Sequence, residues 1–446
     1  MSRVALIGEN SIGYVNALID IWNNGDCAVL LDWRIPFIIA IQMMRESNVR
    51  KCYIERPLLK KIEEKSFSDI KFITFEKGNN SAELLPPRIY DKYNSNYSSD
   101  EAIVLYSSGT TGKAKGIILS HYAISTNADA IIDYMCPTKD DCLYMARPLS
   151  HSSAITGELL VALKTHTSLL ISPVAVPPRI ILKNIINFNV TICCLNPALL
   201  GFVVDEMERR EYHLITLKVV YVSGSVLNDD TYNRVHKALE AIPIYNVYGL
   251  TEAAPRVTAQ RAGCCKSNSV GKPLCNVEVS ILDGNGDDVP QGQCGTVYVN
   301  TPSMFSDYIS GDKRASLRSG WLNTGDIGYW DENGELHIVG RSDDMIIIDT
   351  HKIYPSEIEE KIMQCEEVKE CVVTSVKYNE TDLLACLYTG VQGSEKRIRK
   401  SLAEKLPVYE IPRRYINCQS IPCNYNGKIS VKEVKAIIEQ KMRKPT

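Results

Sequence analysis

The N-terminal pattern of apolar and polar residues predicts a strand, a helix and a second strand. Residues 3–7 and 27–31 are short, largely apolar runs of the kind that forms buried strands. Asn10 or Ser11 stands where the N-cap of a helix belongs. Between the two runs, four apolar residues recur at helical spacing, namely Val15, Leu18, Ile19 and Trp22. This order predicts a βαβ unit and therefore a parallel sheet.

The same alternation returns further along the chain. Residues 122–134 have a helical pattern, and the segment 147–151 ends a strand and opens an apolar helix at 159–163. Three short apolar runs predict more buried strands separated by helices: 168–172, 191–195 and 218–222. A second doubly wound sheet is the economical interpretation. The polar stretch 77–99 is interpreted as a loop.

The pattern changes between about residues 270 and 340. Short alternating runs at 277–282, 295–299 and 336–339, separated by Gly, Asn and Asp turns, indicate antiparallel strands of a small distorted β-barrel. After a boundary at 340–344 the pattern predicts these elements: a helix from Ser356, strands at 371–376 and 383–387, and helices near 394–405 and 430–442. The predicted fold class is α/β, with a large N-terminal domain of doubly wound sheets plus the barrel, and a small α+β C-terminal domain.

Composition narrows the class of protein. A chain of 446 residues exceeds one core of ordinary size, so at least two domains are expected. A net charge of −3 favours neither nucleic acid nor an anionic membrane as a partner. The 15 cysteines have no CxxC spacing and no zinc-type Cys/His cluster, which predicts reduced, mostly buried thiols. No signal peptide and no apolar run of membrane-spanning length is apparent, and a cytoplasmic protein is expected.

The strongest chemical signal is the stretch 106–116, which reads YSSGTTGKAKG and follows the apolar run 102–105. Its glycines allow successive N–H groups to point into one concavity, while hydroxyls and lysines complete an environment for phosphate. It is not a Walker A loop, since Ser107 and Ala114 stand where that motif needs a glycine and a hydroxyl. A strand feeding a phosphate loop is predicted; taken alone, the stretch also fits a flexible surface loop.

This segment resembles the signature loop, [ST]SGTTGxPKG, of the adenylate-forming superfamily of acyl-CoA synthetases, luciferases and nonribosomal peptide synthetase adenylation domains. Further segments follow in the order of that family: NVYGLTEA at 246–253, WLNTGD at 321–326, GRSDDMI at 340–346 and NGKI at 426–429. The resemblance runs from about residue 3 to the end. It implies an AMP-binding core at 1–340, short at its N-terminus for the family, and a mobile C-terminal domain at 341–446.

The resemblance also implies a nucleotide site. Its cofactor-binding residues would be Ser107, Ser108, Gly109, Thr110, Thr111, Gly112 and Lys115 for the β- and γ-phosphates, and Ser223, Gly224, Ser225, Asn246, Tyr248 and Gly249 around adenine. Asp326 and Arg341 would hold the ribose hydroxyls. Thr251 would contact the α-phosphate, and Glu252 would hold Mg²⁺, a cation that takes oxygen ligands. Ala114 departs from the usual proline.

The remaining implied residues concern the acid and the acceptor. Lys428 matches the lysine that reaches the reacting carboxylate, and it is the first catalytic candidate. The other catalytic candidates are Thr251, Glu252 and His151. The segment 151–157 matches the wall of the acid pocket, with Ser153 and Gly157 as substrate-pocket residues. The other implied positions are Asp343 at the hinge and Thr350 where the family has a glycine near the incoming thiol.

The resulting functional hypothesis is an AMP-forming acid–thiol ligase that uses ATP and Mg²⁺, with CoA or a carrier-protein phosphopantetheine as acceptor. Ser153 replaces the aspartate that binds an α-ammonium in amino-acid-activating relatives, so a plain small-molecule carboxylic acid is favoured. Thr350 keeps open an alternative in which an amine takes the acyl group. A second alternative is a catalytically weakened binding or scaffold protein, because the N-terminus is short for the family and Thr296 stands where glutamate is common.

Overall fold

The computed structural model describes the whole chain apart from a set of short stretches: 60–68, 77, 79–80, 109–113, 175, 225–226, 228, 240–241, 262–268, 311–315, 343–344, 349–350, 379–380, 424–428 and 444–446. Of the predicted site residues, several fall in these stretches and so lie outside the described residues: Gly109, Thr110, Thr111, Gly112, Ser225, Asp343 and Lys428. Thr350 lies outside them as well.

The strands are numbered in chain order. Up to residue 120 they are β1 Arg3–Gly8, β2 Cys27–Asp32, β3 Lys51–Glu55, β4 Lys71–Phe75, β5 Glu83–Leu84, β6 Glu101–Ser108 and β7 Ala114–Ser120. The next are β8 Cys142–Met145, β9 Ser168–Ile171, β10 Ile192–Leu195, β11 Val219–Val222, β12 Ile244–Gly249, β13 Arg256–Ala259 and β14 Lys272–Pro273. They continue with β15 Glu278–Leu282, β16 Gly295–Asn300, β17 Asp307–Tyr308, β18 Leu317–Arg318, β19 Trp321–Trp330, β20 Leu336–Arg341, β21 Ile346–Ile348 and β22 His351–Ile353. The last are β23 Val368–Tyr378, β24 Thr381–Gly390 and β25 Arg414–Asn417.

The helices follow the same order. The first group is α1 Ile12–Asn23, α2 Phe37–Glu46, α3 Arg56–Leu59, α4 Pro87–Lys92 and α5 His121–Met135. The second is α6 Ser152–Ala154, α7 Val161–Thr165, α8 Pro178–Asn187, α9 Pro197–Arg209 and α10 Asp229–Leu239, with a π-helical stretch, Ile155–Leu160, between α6 and α7. The third is α11 Pro355–Met363, α12 Glu395–Ala403 and α13 Val431–Arg443.

The predicted βαβ unit is confirmed. The Ser11 side chain accepts a hydrogen bond from the amide of Tyr14, which satisfies one of the free amides at the start of α1. Val15, Leu18 and Ile19 are buried on α1, and β1 pairs in parallel with β2. Full burial of an aliphatic side chain stabilises a fold by roughly 1.5–3 kcal/mol, so this apolar face holds the helix against the sheet.

Two large sheets form the N-terminal part. The first has the strand order β17-β7-β6-β2-β1-β3-β4, and the second has the order β14-β13-β12-β11-β10-β8-β9-β5. Central neighbours in both sheets are parallel, whereas β6 with β7 and β12 with β13 form antiparallel pairs. One cluster of buried side chains joins the two sheets through Leu6, Leu105, Ile131 and Leu143. The main core therefore lies between the sheets.

The change of pattern near residue 270 is also confirmed. β15, β16, β19, β18 and β20 form an antiparallel sheet, in which β19 pairs with both β16 and β20. In the C-terminal region β23, β24 and β25 form a separate sheet, with the helix α11 against β23. The predicted helices and strands of this region are present, while the domain boundary at 340–341 stays a prediction.

One interpretation of the sequence was incomplete. The stretch 77–99 contains the helix α4 and the short strand β5, so within its described part it is not a continuous loop. Pro86 and Pro87 start α4, since proline suits the first helical position. The described cysteines are all free and most of them are buried, as predicted. A search of the described residues finds no helix that is both long and apolar enough to cross a membrane.

Candidate active site

Tyr248, Asp326 and Arg341 meet where the second sheet faces the small antiparallel sheet. The Tyr248 hydroxyl donates a hydrogen bond to Asp326 Oδ2 at 2.5 Å, and Arg341 Nη1 donates to Asp326 Oδ1 at 3.3 Å. The register of β19 and β20 places Asp326 directly opposite Arg341. Burial, together with the charge of Asp326, raises the pKa of Tyr248 well above its ordinary value, so the phenol remains a donor.

The turn before Asp326 is shaped to admit the arginine. Gly325 has a φ of +73°, and a Cβ added to it would lie 2.7 Å from Arg341 Nη2. A side chain there would therefore displace the guanidinium. Arg341 Nε is buried without a hydrogen-bond partner in the described part of the chain. The carboxylate of Asp326 suits a diol, because both hydroxyls of a diol can donate to its oxygens.

Glu252, Tyr308 and Lys115 form a second group. Glu252 lies in a single turn of 3₁₀ helix, Thr251–Ala253, and its Oε1 accepts a hydrogen bond from the Tyr308 hydroxyl at 3.3 Å. Lys115 Nζ lies 5.7 Å from the centroid of the Tyr308 ring. Burial raises the pKa of the Glu252 carboxyl, while the Tyr308 hydrogen bond and the charges of Arg341 and Lys115 oppose part of that rise. The two groups of residues are therefore electrostatic neighbours.

The two ends of the phosphate-loop segment pair with each other as the strands of a hairpin. Ser107 and Ser108 end β6 and pair with Lys115 and Ala114 of β7, and the residues 109–113 between them lie outside the described residues. Gly116 is required for the pairing of β7 with β17, because an added Cβ would lie 2.6 Å from Ile309 Cγ1. The strand that feeds this loop was predicted correctly.

The segment 151–157 contacts the 3₁₀ turn Thr251–Ala253 through a pair of hydroxyls. The hydroxyls of Ser152 and Thr251 are 3.4 Å apart. His151 is the N-cap residue of α6 and lies near Asp32. Burial raises the pKa of the Asp32 carboxyl, but the Arg34 hydrogen bonds and charge, with a smaller contribution from His151, bring that pKa below its ordinary value. Ser153 is half-buried and Gly157 is buried in the π-helical stretch.

The predicted adenine residues have mixed surroundings. Ser223 is buried at the end of β11, and Gly224 follows it with a φ of +106°. The Asn246 side chain donates a hydrogen bond to the carbonyl of Ser269 at 3.1 Å, so its amide holds the backbone. Gly249 permits the β12–β13 hairpin, since an added Cβ would lie 1.8 Å from the Pro255 carbonyl oxygen.

Three charged residues of the same region were missed by the sequence reasoning. Arg147 Nε donates to Glu158 Oε1 at 2.9 Å, and Arg147 Nη1 donates to the Ser223 hydroxyl at 2.5 Å. Burial raises the pKa of Glu158, and the charge of Arg147 opposes the rise. Arg256 is 2% exposed, and its backbone is held by the Asn127 side chain. For Arg256, the available signal in the sequence was a charged residue at the start of an apolar strand, four residues after Glu252.

The residues present fit a magnesium ion bound together with phosphates. No group of three or more His, Cys, Asp or Glu side chains that could hold a metal ion occurs among the described residues. Mg²⁺ commonly uses one or two protein carboxylates and takes its other oxygens from phosphate and water. Glu252 offers one half-buried carboxylate beside Lys115, which is a suitable donor set for that arrangement.

The comparisons with known proteins cover nearly the whole chain. The AMP-binding enzyme family matches residues 1–309, and the AMP-binding enzyme C-terminal domain matches residues 357–428. An indoleacetate–CoA ligase of Aromatoleum aromaticum is 24% identical, with 99% of this chain and 89% of the relative aligned. A fatty acid–acyl-carrier-protein ligase of Streptomyces coeruleorubidus is 26% identical, with 97% of this chain and 86% of the relative aligned. The crystal structure of ATP-bound MatB from Rhodopseudomonas palustris has the same fold, with a TM-score of 0.86, 22% identity, and coverage of 99% of this chain and 90% of that chain.

Proposed function

The chain belongs to the AMP-binding enzyme family, and on that premise we propose that it activates a carboxylic acid as an acyl-AMP and passes the acyl group to a thiol. In the first step a carboxylate oxygen attacks the α-phosphorus of ATP, and the bond to the β-phosphate breaks to release pyrophosphate. In the second step the thiol sulfur attacks the acyl carbon, loses its proton, and AMP leaves.

The observation that carries this proposal is the convergence on one 3₁₀ turn, Thr251–Ala253. The Thr251 hydroxyl faces the Ser152 hydroxyl of α6, and Glu252 faces Tyr308 and Lys115. Tyr248 lies three residues before the turn and donates a hydrogen bond to Asp326, which Arg341 also contacts. A nucleotide lying along this turn would have its ribose at Asp326 and its phosphates at Glu252 and Lys115.

The charges of these residues suit the reaction. A carboxylate approaching a triphosphate needs cations and fixed donors, because both reactants are anionic. Lys115 and Arg341 supply positive charge, and Glu252 would hold Mg²⁺, which neutralises phosphate oxygens when bound. Lys428, outside the described residues, is proposed to follow the reacting carboxylate from the C-terminal domain.

The acceptor is proposed to be the thiol of CoA or of a carrier-protein phosphopantetheine. The two relatives named above are a CoA ligase and an acyl-carrier-protein ligase, which supports a thiol of this kind. The first step and the choice of acceptor are separable, since the acyl-AMP forms before the acceptor attacks.

The test is acid-dependent exchange of labelled pyrophosphate into ATP, measured with magnesium and a panel of aliphatic, aromatic and dicarboxylic acids. Exchange that requires one class of acid is expected. Thioester formation is then measured with CoA and with a phosphopantetheinylated carrier protein. Absence of exchange with every acid in the panel would contradict the proposed activation step, whereas exchange without thioester on either thiol would contradict only the proposed acceptor.

A further inference from the structure

Two buried asparagines near the candidate active site make the same set of hydrogen bonds. In each, the side-chain nitrogen donates to two backbone carbonyls and the side-chain oxygen accepts from one backbone amide. Asn10 lies in the loop after β1 and is 7% exposed, and Asn127 lies in α5 and is fully buried. Ser11 provides the N-cap of α1, so the Asn10 side chain is not needed for that role.

Asn10 holds the backbone of the segment that leads into α6. Its Nδ2 donates to the carbonyl of Arg147 at 2.7 Å and to that of Ser172 at 3.1 Å, and its Oδ1 accepts from the amide of Leu149 at 2.8 Å. The first and last of these partners follow β8, and Ser172 follows β9, the parallel neighbour of β8. Asn10 therefore ties the loop after β1, in the first sheet, to the ends of two strands of the second sheet, shortly before Ser152.

Asn127 holds the backbone of the turn Thr251–Ala253 in the same way. Its Nδ2 donates to the carbonyl of Ala253 at 3.3 Å and to that of Arg256 at 2.8 Å, and its Oδ1 accepts from the amide of Arg256 at 3.0 Å. The helix α5 begins directly after β7, the strand that contains Lys115. Asn127 therefore ties this turn to the strand and helix that follow the phosphate loop.

The two backbone segments face each other at Ser152 and Thr251, whose hydroxyls are 3.4 Å apart. In the proposed reaction Thr251 contacts the α-phosphate, and the segment that contains Ser152 lines the acid pocket. The attacking carboxylate oxygen has to lie roughly in line with the bond that breaks. A displacement of about 1 Å can lower such a rate about 100-fold. The rate of acyl-AMP formation therefore depends on how firmly both segments are held.

An asparagine amide is well suited to hold a backbone segment in place. Its two N–H groups and its oxygen lie in one plane, so three partners in different directions fix the position of the backbone. A shift of the segment would leave a buried carbonyl or amide without a partner, which costs free energy. These bonds therefore resist displacement of the segments in a way that apolar packing alone does not.

We propose that Asn10 and Asn127 are positioning residues for the adenylation step. Together they hold the segment 147–152 and the turn Thr251–Ala253 at the separation that the attack of the carboxylate on the α-phosphorus requires. Each asparagine acts through the backbone that it binds. This inference rests on the proposed function and adds two residues to the same site.

The experiment measures single-turnover formation of acyl-AMP at saturating ATP, with the acid that gives the fastest pyrophosphate exchange. Asn10→Asp and Asn127→Asp keep the shape and the accepting oxygen, but at alkaline pH they place a carboxylate oxygen against two carbonyls. In each variant the rate per folded molecule is expected to fall about 30-fold or more. The Kd for ATP, measured by calorimetry, is expected to change less than fivefold. The calorimetric stoichiometry gives the folded fraction, so a loss of folding alone would not lower this rate.

The pH dependence of the same variants tests the hydrogen bonds themselves. Burial and the two facing carbonyls favour the protonated form of the new carboxyl, and that form can donate to one carbonyl again. The rate of each Asp variant relative to the wild type is therefore expected to rise as the pH is lowered. Asn10→Ala and Asn127→Ala have no group to protonate and should show no such recovery.

The matched control is Asn184→Asp in α8. Asn184 is also a buried asparagine, 9% exposed, and its Nδ2 donates to the Tyr144 hydroxyl at 3.3 Å. This variant is expected to lower the Tm and to leave the rate per folded molecule within twofold of the wild type. If an Asp variant does not fold, Asn10→Ser and Asn127→Ser introduce a smaller, uncharged group, and their rates are expected to fall about tenfold.

The outcomes separate this inference from the proposed function. If the variants of either asparagine keep a rate per folded molecule within threefold of the wild type, the joint positioning role is overturned while the proposed function stands. Equal losses of ATP affinity and of rate would also overturn the role, because the asparagines would then support nucleotide binding in general. A wild-type protein that exchanges pyrophosphate with none of the acids would overturn the proposed function, and this inference with it.

Discussion

At the scale of single residues, Asp326 connects the parts of the proposed nucleotide site, since it accepts hydrogen bonds from both Tyr248 and Arg341. Asp326→Ala leaves the phenol and the guanidinium without their shared acceptor and removes the proposed ribose ligand. We expect ATP to bind about 10- to 100-fold more weakly, which corresponds to about 1.4–2.7 kcal/mol. Isothermal titration calorimetry with ATP measures this loss directly.

The matched control for Asp326 is Asp287→Ala, at an exposed turn position, and it is expected to leave ATP affinity unchanged. Equal ATP affinity in the Asp326 variant and the wild type would refute the ribose assignment. A loss of folding is detected separately by circular dichroism.

Glu252 predicts how activity depends on pH. Burial raises the pKa of its carboxyl, and the ionised form is the one that can hold Mg²⁺. The kcat/KM for MgATP is therefore expected to fall on acidification at a pH above the ordinary range of a glutamate. Glu252→Gln should remove this ionisation and lower kcat/KM on the order of 100-fold, a typical scale for a lost electrostatic ligand. A pH profile of pyrophosphate exchange that is unchanged in the variant would contradict the role.

The same shift predicts an effect on stability with the opposite sign. The folded state holds the Glu252 proton more tightly than the unfolded chain, because folding desolvates the carboxylate. Stability from this group is present at low pH and is lost as the pH rises from the unfolded-state pKa through the raised folded-state pKa. Glu252→Gln should thus have a higher Tm than the wild type at neutral pH, with the difference vanishing in acid. Glu404→Gln, on the surface, serves as the control in differential scanning calorimetry.

At the scale of elements, we expect the substitution of glycine by alanine to destabilise the fold at Gly116 and to stabilise it at Gly201. Gly116→Ala forces β7 away from β17, because the new Cβ meets Ile309, and overpacking of this kind typically costs about 1–3 kcal/mol. Since β17 carries Tyr308, the KM for MgATP should rise as well. Gly201→Ala, in α9 with open space around it, should stabilise the fold by about 0.5–1 kcal/mol. Chemical denaturation measures both, and a Gly116→Ala protein as stable as the wild type would contradict the close approach.

Many elements were predictable because their signals are local. The apolar spacing of α1 and the Ser11 cap lie within a dozen residues, and the runs that became β9, β10 and β11 are each bounded by helices. The strands β3 and β4 were missed, since the charged residues Lys51, Glu55 and Lys71 interrupt their apolar pattern. The π-helical stretch was read as ordinary helix, because π and α turns have similar apolar spacing over one turn.

The candidate site was predictable only where a motif lies in one stretch of sequence. Thr251, Glu252 and Asp326 belong to such stretches, and the structure brings them together, although their roles stay predictions. Arg147, Glu158 and Arg256 could not be found this way, because they are separated by 11 and 98 positions and meet only through the packing of a helix on a sheet. No periodicity marks a buried charge as paired or unpaired.

At the scale of the whole molecule, the proposed reaction needs a residue from the C-terminal domain. The Ser356 hydroxyl donates a hydrogen bond to the carbonyl of Val339, so α11 contacts the end of the small antiparallel sheet. Lys428→Met should lower the rate of adenylation by at least 100-fold while the Kd for ATP changes less than threefold, since a lysine that acts on the reacting carboxylate contributes in the transition state. Single-turnover formation of acyl-AMP and calorimetry with ATP measure the two quantities.

The control for Lys428 is Lys396→Met, an exposed lysine of α12. Equal losses of ATP affinity and of adenylation rate in the Lys428 variant would remove the assigned role. The hinge at Asp343 and the consequence of Thr350 stay predictions, and a variant Thr350→Gly that leaves thioester formation unchanged would show that the threonine is tolerated.

Arg147 connects the two proposed binding subsites. Its guanidinium donates hydrogen bonds both to Glu158, in the π-helical stretch, and to Ser223, at the end of the strand proposed to border the base. A ligand that attracts Glu158 would therefore move the Arg147 guanidinium and change the hydrogen bonding of Ser223 at the proposed adenine subsite. Occupancy of one subsite should change the dissociation constant of the other by a common factor in both directions, so the two reactants would bind with measurable cooperativity.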